Sequence, residues 1–155
     1  MQEPSYYSVP LMNLFFRWLH VLAAVIWLGG MLFITLVLVP VLRRIGDSAL
    51  RSELIGQVGR RFRSVGWVAL GLLLASGVAN LLARPWYLQS PAFRVKLALV
   101  VLALILSILH DFVLGPRANR SPVDAGVARR RVSVIARVNA LVVLAIVLLG
   151  LTLRG

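Results

Sequence analysis

Residues Leu11–Val41 read LMNLFFRWLHVLAAVIWLGGMLFITLVLVPV, an apolar stretch longer than the ~20 residues with which a helix crosses a hydrocarbon core of ~30 Å. Three more apolar stretches follow at Val65–Ala83, Val95–Gly115 and Val132–Leu153. The sequence therefore predicts an all-α integral membrane protein, a four-helix bundle that forms a single transmembrane domain over residues 1–155.

The composition indicates a membrane protein and excludes several kinds of functional site. Hydrophobic residues make up 60% of the chain and the mean hydropathy is +0.91, which excludes an ordinary soluble domain. The chain has no cysteine, so disulfides, thiolate metal sites and thiol redox chemistry are excluded. A copper site in this chain would have to use histidine or methionine.

The net charge of +12 is distributed unevenly. Twelve of the 17 Lys and Arg residues fall in two segments that flank the inner ends of the stretches. They are Arg43, Arg44, Arg51, Arg60, Arg61 and Arg63 in the first segment, and Arg117, Arg120, Arg129, Arg130, Arg131 and Arg137 in the second. The positive-inside rule places both segments in the cytoplasm and both termini outside a bacterial-type inner membrane. The expected partner of this charge is the lipid bilayer rather than nucleic acid.

Two further features complete the predicted architecture. The segment Arg43–Arg63 has apolar residues at helical spacing, which predicts a short amphipathic cytoplasmic helix between the first and second spans. Small residues recur along the second span at Gly71, Ala75 and Ala79. Because small residues let backbones approach closely in membranes, we expect a homo-oligomer formed through this face.

Ionisable and polar side chains within the spans predict two layers at different depths. His20, Asn80 and Lys96 share an outer layer. His110 lies fourteen residues after Lys96, about 21 Å deeper along the helix axis, and Asn139 lies at a similar depth. Ionisable groups are costly in a bilayer, so such residues are expected to face the bundle interior, a cavity or a cofactor.

Helical spacing assigns these residues to faces. The third span carries Lys96, Val100, Ala103, Ser107 and His110 on one face, which should be the inward one. His20, Trp27 and Met31 share a face of the first span. Asp111 adjoins His110 in the chain, but consecutive helical residues diverge by about 100°, so the two are not expected to form a dyad. For Asp111, pairing with a cytoplasmic-side arginine such as Arg117 is at least as well supported as a role in proton handling.

Histidine in a helical bundle is a candidate axial ligand of haem and a common copper ligand. His20 and His110 are therefore the candidate metal ligands. Because they lie at different depths, they are not expected to ligate the same iron within a single chain. Lys96 is a second ligand or a propionate partner at the outer site, unless it snorkels to the interface. Trp27 and Asn80 are candidate lining residues. The alternative is that these side chains only pack and hydrogen-bond.

Leu19-His20, followed by Trp27, Gly29-Gly30 and Phe33, resembles the first helix of the CopD copper-resistance family, and the third span, from Lys96-Leu97 to His110, is also similar. The same pattern resembles HemJ-type protoporphyrinogen oxidases. Both are His-bearing membrane bundles related to haem b cytochromes. The resemblance implies copper uptake, haem-linked redox chemistry or porphyrinogen oxidation, with His20 and Lys96 as the residues carried over.

The leading prediction is a membrane-embedded haem b-binding redox protein that exchanges electrons with quinol or a membrane partner. Three alternatives stay open: copper binding or transport, protoporphyrinogen oxidation, and a structural subunit of a larger complex. An oxidoreductase activity is compatible with the first reading but no sequence motif fixes a reaction. The sequence names neither the electron donor nor the acceptor.

Overall fold

The computed structural model describes residues 8–115 and 125–153, and within these residues it contains helices and turns but no strand. The helices are α1 (Ser8–Phe33), α2 (Val39–Leu42), α3 (Ser48–Leu82), α4 (Pro91–Ile108) and α5 (Ala125–Thr152). Two π-helical segments, Ile34–Leu38 and Leu109–Leu114, extend α1 into α2 and prolong α4. A 3₁₀ turn, Pro85–Gln89, lies between α3 and α4.

Within residues 8–115 and 125–153, four helices are long and apolar enough to cross a membrane, which confirms the predicted number of spans by length and composition. They are Leu11–Leu42, Ser48–Leu82, Pro91–Leu114 and Arg130–Thr152. This is the pattern of a multi-pass membrane protein. The positions of the termini and the identity of the membrane stay predictions.

The second span begins earlier than the hydropathy indicated. Helix α3 starts at Ser48, and the Asp47 side chain caps it by accepting hydrogen bonds from the backbone N–H groups of Ala49 and Leu50 at 2.8 and 3.1 Å. Most of the segment predicted as a separate amphipathic helix is therefore helical, but it runs without a break into the span. Its amphipathic, cytoplasmic character stays a prediction.

The other spans also differ from prediction at their ends. Helix α4 begins at Pro91, because proline suits the first helical position, where no N–H partner is needed. Helix α5 begins at Ala125, so part of the expected loop before Val132 is helical.

Each π-helical segment is followed two residues later by a proline in the sequence, Pro40 or Pro116. A proline lacks the N–H that an α-helix requires, and at Pro40 the wider π turn before it accommodates this loss.

The described chain divides into two compact units. The first unit comprises the chain up to Gly30 together with Leu42–Tyr87, and the second comprises Met31–Val41 and the chain from Leu88 onward. The first unit buries Ala23, Trp27, Leu42, Ala69, Leu70 and Ser76, and the second buries Ala103, Asn139, Ala140 and Val143. Half of these ten positions are Ala or Ser, small residues that let membrane helices pack closely.

Large apolar side chains are mainly exposed in both units, including Trp18 at 67% and Leu36 at 68%. Such a surface is unfavourable in water but is the expected contact surface with lipid tails.

The predicted inward face of the third span is confirmed. Val100, Ser107 and His110 are half-buried, as is Lys96, and Ala103 is fully buried. By contrast, the neighbouring residues Val101, Leu102, Ile105 and Ile108 are exposed.

Candidate functional site

Within the first unit, the first and second spans meet along a seam of small residues. A Cβ atom added at Gly30 of α1 would overlap the Phe62 ring of α3, so only glycine fits beneath that ring. One helical turn earlier, the Trp27 ring lies against Gly66, where an added Cβ would stand 3.7 Å from Cδ1. The Trp-Gly part of the motif in the first span is therefore a helix-packing element.

His20 lies further along the same seam and hydrogen-bonds to α3. Its Nδ1 atom is 3.1 Å from the Leu73 carbonyl oxygen and 3.0 Å from the Ser76 hydroxyl oxygen. A carbonyl oxygen accepts but does not donate, so Nδ1 carries a proton in this arrangement. The neutral ring then has its lone pair on Nε2, the nitrogen on the opposite side of the ring.

Ser76 connects the imidazole to the backbone of α3. It is the most deeply buried polar residue of the described chain, with 1% exposure, and its hydroxyl donates to the Leu72 carbonyl oxygen. The hydroxyl oxygen therefore keeps lone pairs for the His20 N–H. Because both partners are held by a rigid helix, they fix the plane of the imidazole.

Gly77 borders the imidazole on its Cε1 side. A Cβ atom at this position would lie 3.4 Å from His20 Cε1 and 3.8 Å from Nδ1. A side chain at position 77 would therefore contact the ring edge at the carbon between the two nitrogens. His20 itself is half-buried.

Asn80 lies in the same layer, as the depth argument predicted. Its side-chain amide donates to the Phe16 carbonyl oxygen at 3.3 Å, one turn before His20 on α1. Ser76 precedes Asn80 by one turn on α3. The first unit therefore brings together a histidine, a serine and an asparagine in one polar layer.

Ser76 is the residue of this layer that the sequence reasoning missed. It stands four residues before Asn80, and this spacing placed it on the face of α3 that carries the predicted asparagine.

Lys96 belongs to the second unit, where its ammonium group lies beside Gly150 of α5. A Cβ atom at Gly150 would stand only 3.3 Å from Lys96 Nζ. The lysine side chain thus reaches the last turns of α5. The expected support of His20 by Lys96 joins residues of the two units and stays a prediction.

A second polar cluster lies in the second unit. The Asn139 amide nitrogen donates to the Ser107 hydroxyl at 3.0 Å and lies 3.9 Å from the Met31 sulfur. Ser107 in turn donates to the Ala103 carbonyl oxygen at 2.8 Å. Asn139 is 5% exposed, and its buried side-chain oxygen has no hydrogen-bond partner among the described residues.

His110 and Asp111 interact directly, which corrects the expectation that they diverge. The His110 Nδ1 atom lies 2.8 Å from an Asp111 carboxylate oxygen. Both residues lie in the π-helical segment Leu109–Leu114, where more residues per turn bring neighbouring side chains closer in angle than in an α-helix. The suggested alternative partner, Arg117, lies outside the described residues.

The small-residue stripe of α3 lies away from the His20 seam. Gly71 and Ala75 are exposed and Ala79 is half-buried. A Cβ atom at Gly71 would meet nothing within 4 Å. This arrangement leaves room for a neighbouring helix, and the predicted homo-oligomer stays a prediction.

The described residues, 8–115 and 125–153, contain no group of three His, Cys, Asp or Glu side chains that could together hold a metal ion. The two histidines instead occur one in each unit. Each has a nearby acceptor for Nδ1, a carbonyl and a hydroxyl for His20 and a carboxylate for His110.

Comparison with known proteins gives one family and one relative. A family model described as "Domain of unknown function (DUF4149)" matches residues 22–126. An "Uncharacterized protein" of Aquifex aeolicus (strain VF5) is 35% identical over 107 residues, which span 66% of this chain and 71% of that protein. No solved structure matches. The family match covers Ser76, Lys96 and His110, and it begins two residues after His20.

Proposed function

This chain belongs to the DUF4149 family of domains of unknown function, and we propose that it is a membrane-embedded haem b-binding protein that carries electrons. His20 is the principal iron ligand in this proposal. A quinol of the bilayer or a membrane redox partner exchanges the electrons, and His110 marks a second, inner site.

The observation that carries the proposal is the hydrogen bond between His20 Nδ1 and the Leu73 carbonyl oxygen at 3.1 Å. It directs the lone pair of the neutral imidazole to Nε2, the atom that binds a metal when Nδ1 is engaged. Histidines that ligate metals almost always donate their other ring N–H to a carbonyl, a carboxylate or water. Such donation fixes the ring and increases its basicity.

The second support is the rigidity of the imidazole surroundings. Ser76 is buried and is itself hydrogen-bonded to the backbone of α3, so the ring is held from two sides. A ligand held in this way loses little conformational entropy when it binds iron, which favours binding.

The third support is the number of available ligands. A porphyrin supplies four nitrogen ligands to its iron, so one well-oriented histidine is sufficient to attach a haem. A copper ion held by side chains alone requires several donors in one place. Among the described residues, His20 belongs to no group of three His, Cys, Asp or Glu side chains, so it suits a porphyrin-held iron better than a bare ion.

The fit of the first unit to a haem rests on its own residues. The half-buried ring of His20 is bordered by Gly77, and the surrounding lipid-facing surface is apolar. Trp27 lies about 10 Å from His20 along the helix, since seven residues separate them. It packs against Gly66, so its contribution to a haem site is indirect through the seam.

A structural role is the second candidate, and a specific observation favours it. Trp27 and Gly30 pack against α3, and the hydrogen bonds of His20 satisfy its Nδ1 within the same seam. The motif would then stabilise the pairing of two helices in a subunit of a larger complex. Copper binding and porphyrinogen oxidation are the remaining alternatives, and they rest on the sequence resemblance alone.

The test begins with the full chain, produced with a haem supply and purified in detergent. We expect a Soret band that shifts on reduction and haem that is recovered in a pyridine haemochrome assay. The variant His20→Ala should lose the haem of the outer site, while His110→Ala, the matched histidine substitution in the other unit, should keep it. Adding free imidazole to His20→Ala should restore the band, because imidazole replaces the missing ligand.

Three results would contradict the proposal. A colourless wild-type protein that contains neither iron nor copper would favour the structural role. Copper without porphyrin would favour the copper alternative. Full haem content in a folded His20→Ala variant would remove His20 as the ligand and transfer that role to His110.

A further inference from the structure

A groove of about 350 Å³ opens in the second unit at the beginning of the fourth span. It is lined by Leu114, Arg130, Arg131, Val134 and Ile135. Leu114 ends the π-helical segment of the third span, and the other four residues lie on α5. The proposed haem site does not use these residues, so the groove requires a separate explanation.

The charged part of the groove consists of two adjacent arginines. Arg130 and Arg131 are both exposed. Among the residues that the structure describes, neither guanidinium forms an ion pair or a hydrogen bond. None of the described residues that line the groove is acidic. Two guanidinium groups that form no ion pair within the described part of the chain can bind an anion, and a phosphate matches their planar arrangement of donors.

The remaining part of the groove is apolar. Val134 and Ile135 lie one turn further along α5, in the direction of the span, and Leu114 closes the groove from the third span. Val134 is 47% exposed, so this wall is open to a ligand. The two arginines therefore precede the apolar wall of the groove by one helical turn along α5.

From this arrangement we propose that the groove binds an anionic phospholipid. The headgroup phosphate contacts Arg130 and Arg131. The part of the acyl chain next to the headgroup packs against Leu114, Val134 and Ile135. A free phosphate would use only the arginines and would leave the apolar wall uncovered. A phospholipid uses both parts, and it is present at the depth where the fourth span begins.

The test uses native mass spectrometry of the detergent-solubilised full chain, titrated with phosphatidylglycerol and, separately, with phosphatidylcholine of the same acyl chains. The double variant Arg130→Gln/Arg131→Gln removes both charges. Its matched control is Arg60→Gln/Arg61→Gln, an adjacent exposed pair on α3 that does not line the groove. A single basic residue near an anionic lipid surface contributes roughly a fivefold factor, so the double variant should lose on the order of tenfold or more in affinity.

The inference is supported if phosphatidylglycerol binds more tightly than phosphatidylcholine, if Arg130→Gln/Arg131→Gln abolishes that preference, and if the control pair retains it. Equal binding of the two lipids would overturn it, as would equal losses in both double variants, which indicate a diffuse charge effect. Displacement of the lipid by millimolar inorganic phosphate would overturn it too, because the apolar wall would then contribute nothing. Thermal unfolding of each variant confirms that the fold is retained.

Discussion

The imidazole Nδ1 atom of His20 lies 3.0 Å from the hydroxyl oxygen of Ser76, and the two residues come from different spans, α1 and α3. The serine hydroxyl donates to the Leu72 carbonyl oxygen, so its oxygen accepts from the imidazole. The direction of these two bonds sets the tautomer of His20. It links the packing of two helices to the chemistry available at Nε2.

Replacing Ser76 with alanine should weaken haem binding without abolishing it. The Leu73 carbonyl still accepts from His20 Nδ1, but the second acceptor is lost and the ring is less constrained. Partners of a metal-binding histidine typically contribute 10- to 100-fold in affinity, and we expect about tenfold here because one partner remains. Titration of the haem-free protein with haem measures the change.

The control for this substitution is Ser107→Ala. Ser107 also donates to the carbonyl oxygen four residues earlier, at 2.8 Å, but it lies in the second unit. The substitution Ser107→Ala should leave the affinity of the outer site for haem unchanged. Equal losses in the two variants would show that serine removal acts through general stability rather than through His20.

Gly30→Ala should destabilise the protein, because the new methyl group would overlap the Phe62 ring. Overpacking of this kind typically costs 1–3 kcal/mol, and we expect about 2 kcal/mol as the ring can shift partly. The neighbouring Gly29→Ala is the matched control, since a Cβ there meets nothing within 4 Å. Equilibrium unfolding in detergent compares the two variants.

Gly29→Ala should be neutral or slightly stabilising, because alanine is the better helix former by about 1 kcal/mol. The double variant Gly30→Ala/Phe62→Leu should recover part of the loss, since leucine is smaller and more flexible than phenylalanine. Equal destabilisation by the two single alanine variants would contradict the close contact between Gly30 and Phe62.

Asp111→Asn should selectively impair the inner site. Asp111 accepts from His110 Nδ1 at 2.8 Å, and an asparagine in its place accepts more weakly because it has no charge. If His110 ligates a second haem, the affinity of that inner site for haem should fall roughly 10- to 100-fold, while the haem bound through His20 is retained. The haem content per chain, measured in Asp111→Asn and in His20→Ala/Asp111→Asn, distinguishes haem at the inner site from haem at the outer site.

An unchanged haem content in both His110→Ala and Asp111→Asn would exclude the inner site. Loss of haem in His110→Ala but not in Asp111→Asn would support His110 as the ligand and would exclude a supporting role for the Asp111 carboxylate.

The predicted topology is testable because the chain has no cysteine of its own. Gln2→Cys should react with a membrane-impermeant maleimide in intact cells, whereas Asp124→Cys should react only after the membrane is permeabilised. The reason is the concentration of arginine in the two segments assigned to the cytoplasm. The opposite labelling pattern would reverse the orientation of the spans.

The spans and the inward face of the third span were accessible from the sequence. Hydropathy is a local property, so four apolar stretches predicted four helices, although α3 and α5 begin earlier than the apolar residues do. Helical spacing similarly placed Ala103 and Ser107 on the inward face of the third span. Both results depend only on residues that are near in the chain.

The site was only partly accessible. His20 and Asn80 were predicted to share a layer, and the structure places them in the same unit. Ser76 was missed, because a single serine in an apolar helix is a common neutral residue until its partner is known. The contact between His110 and Asp111 was also missed, because it depends on a π-helical segment that the apolar pattern does not distinguish from an α-helix.

The sequence by itself determined that this protein has four apolar helices and that two histidines lie within them, since composition and spacing are properties of the chain alone. Tertiary structure decided which atoms those histidines contact. The reason is that a contact between spans depends on the register and rotation of two helices, and close packing at glycines such as Gly30 and Gly66 sets both. Only that packing brought Ser76 to the imidazole of His20.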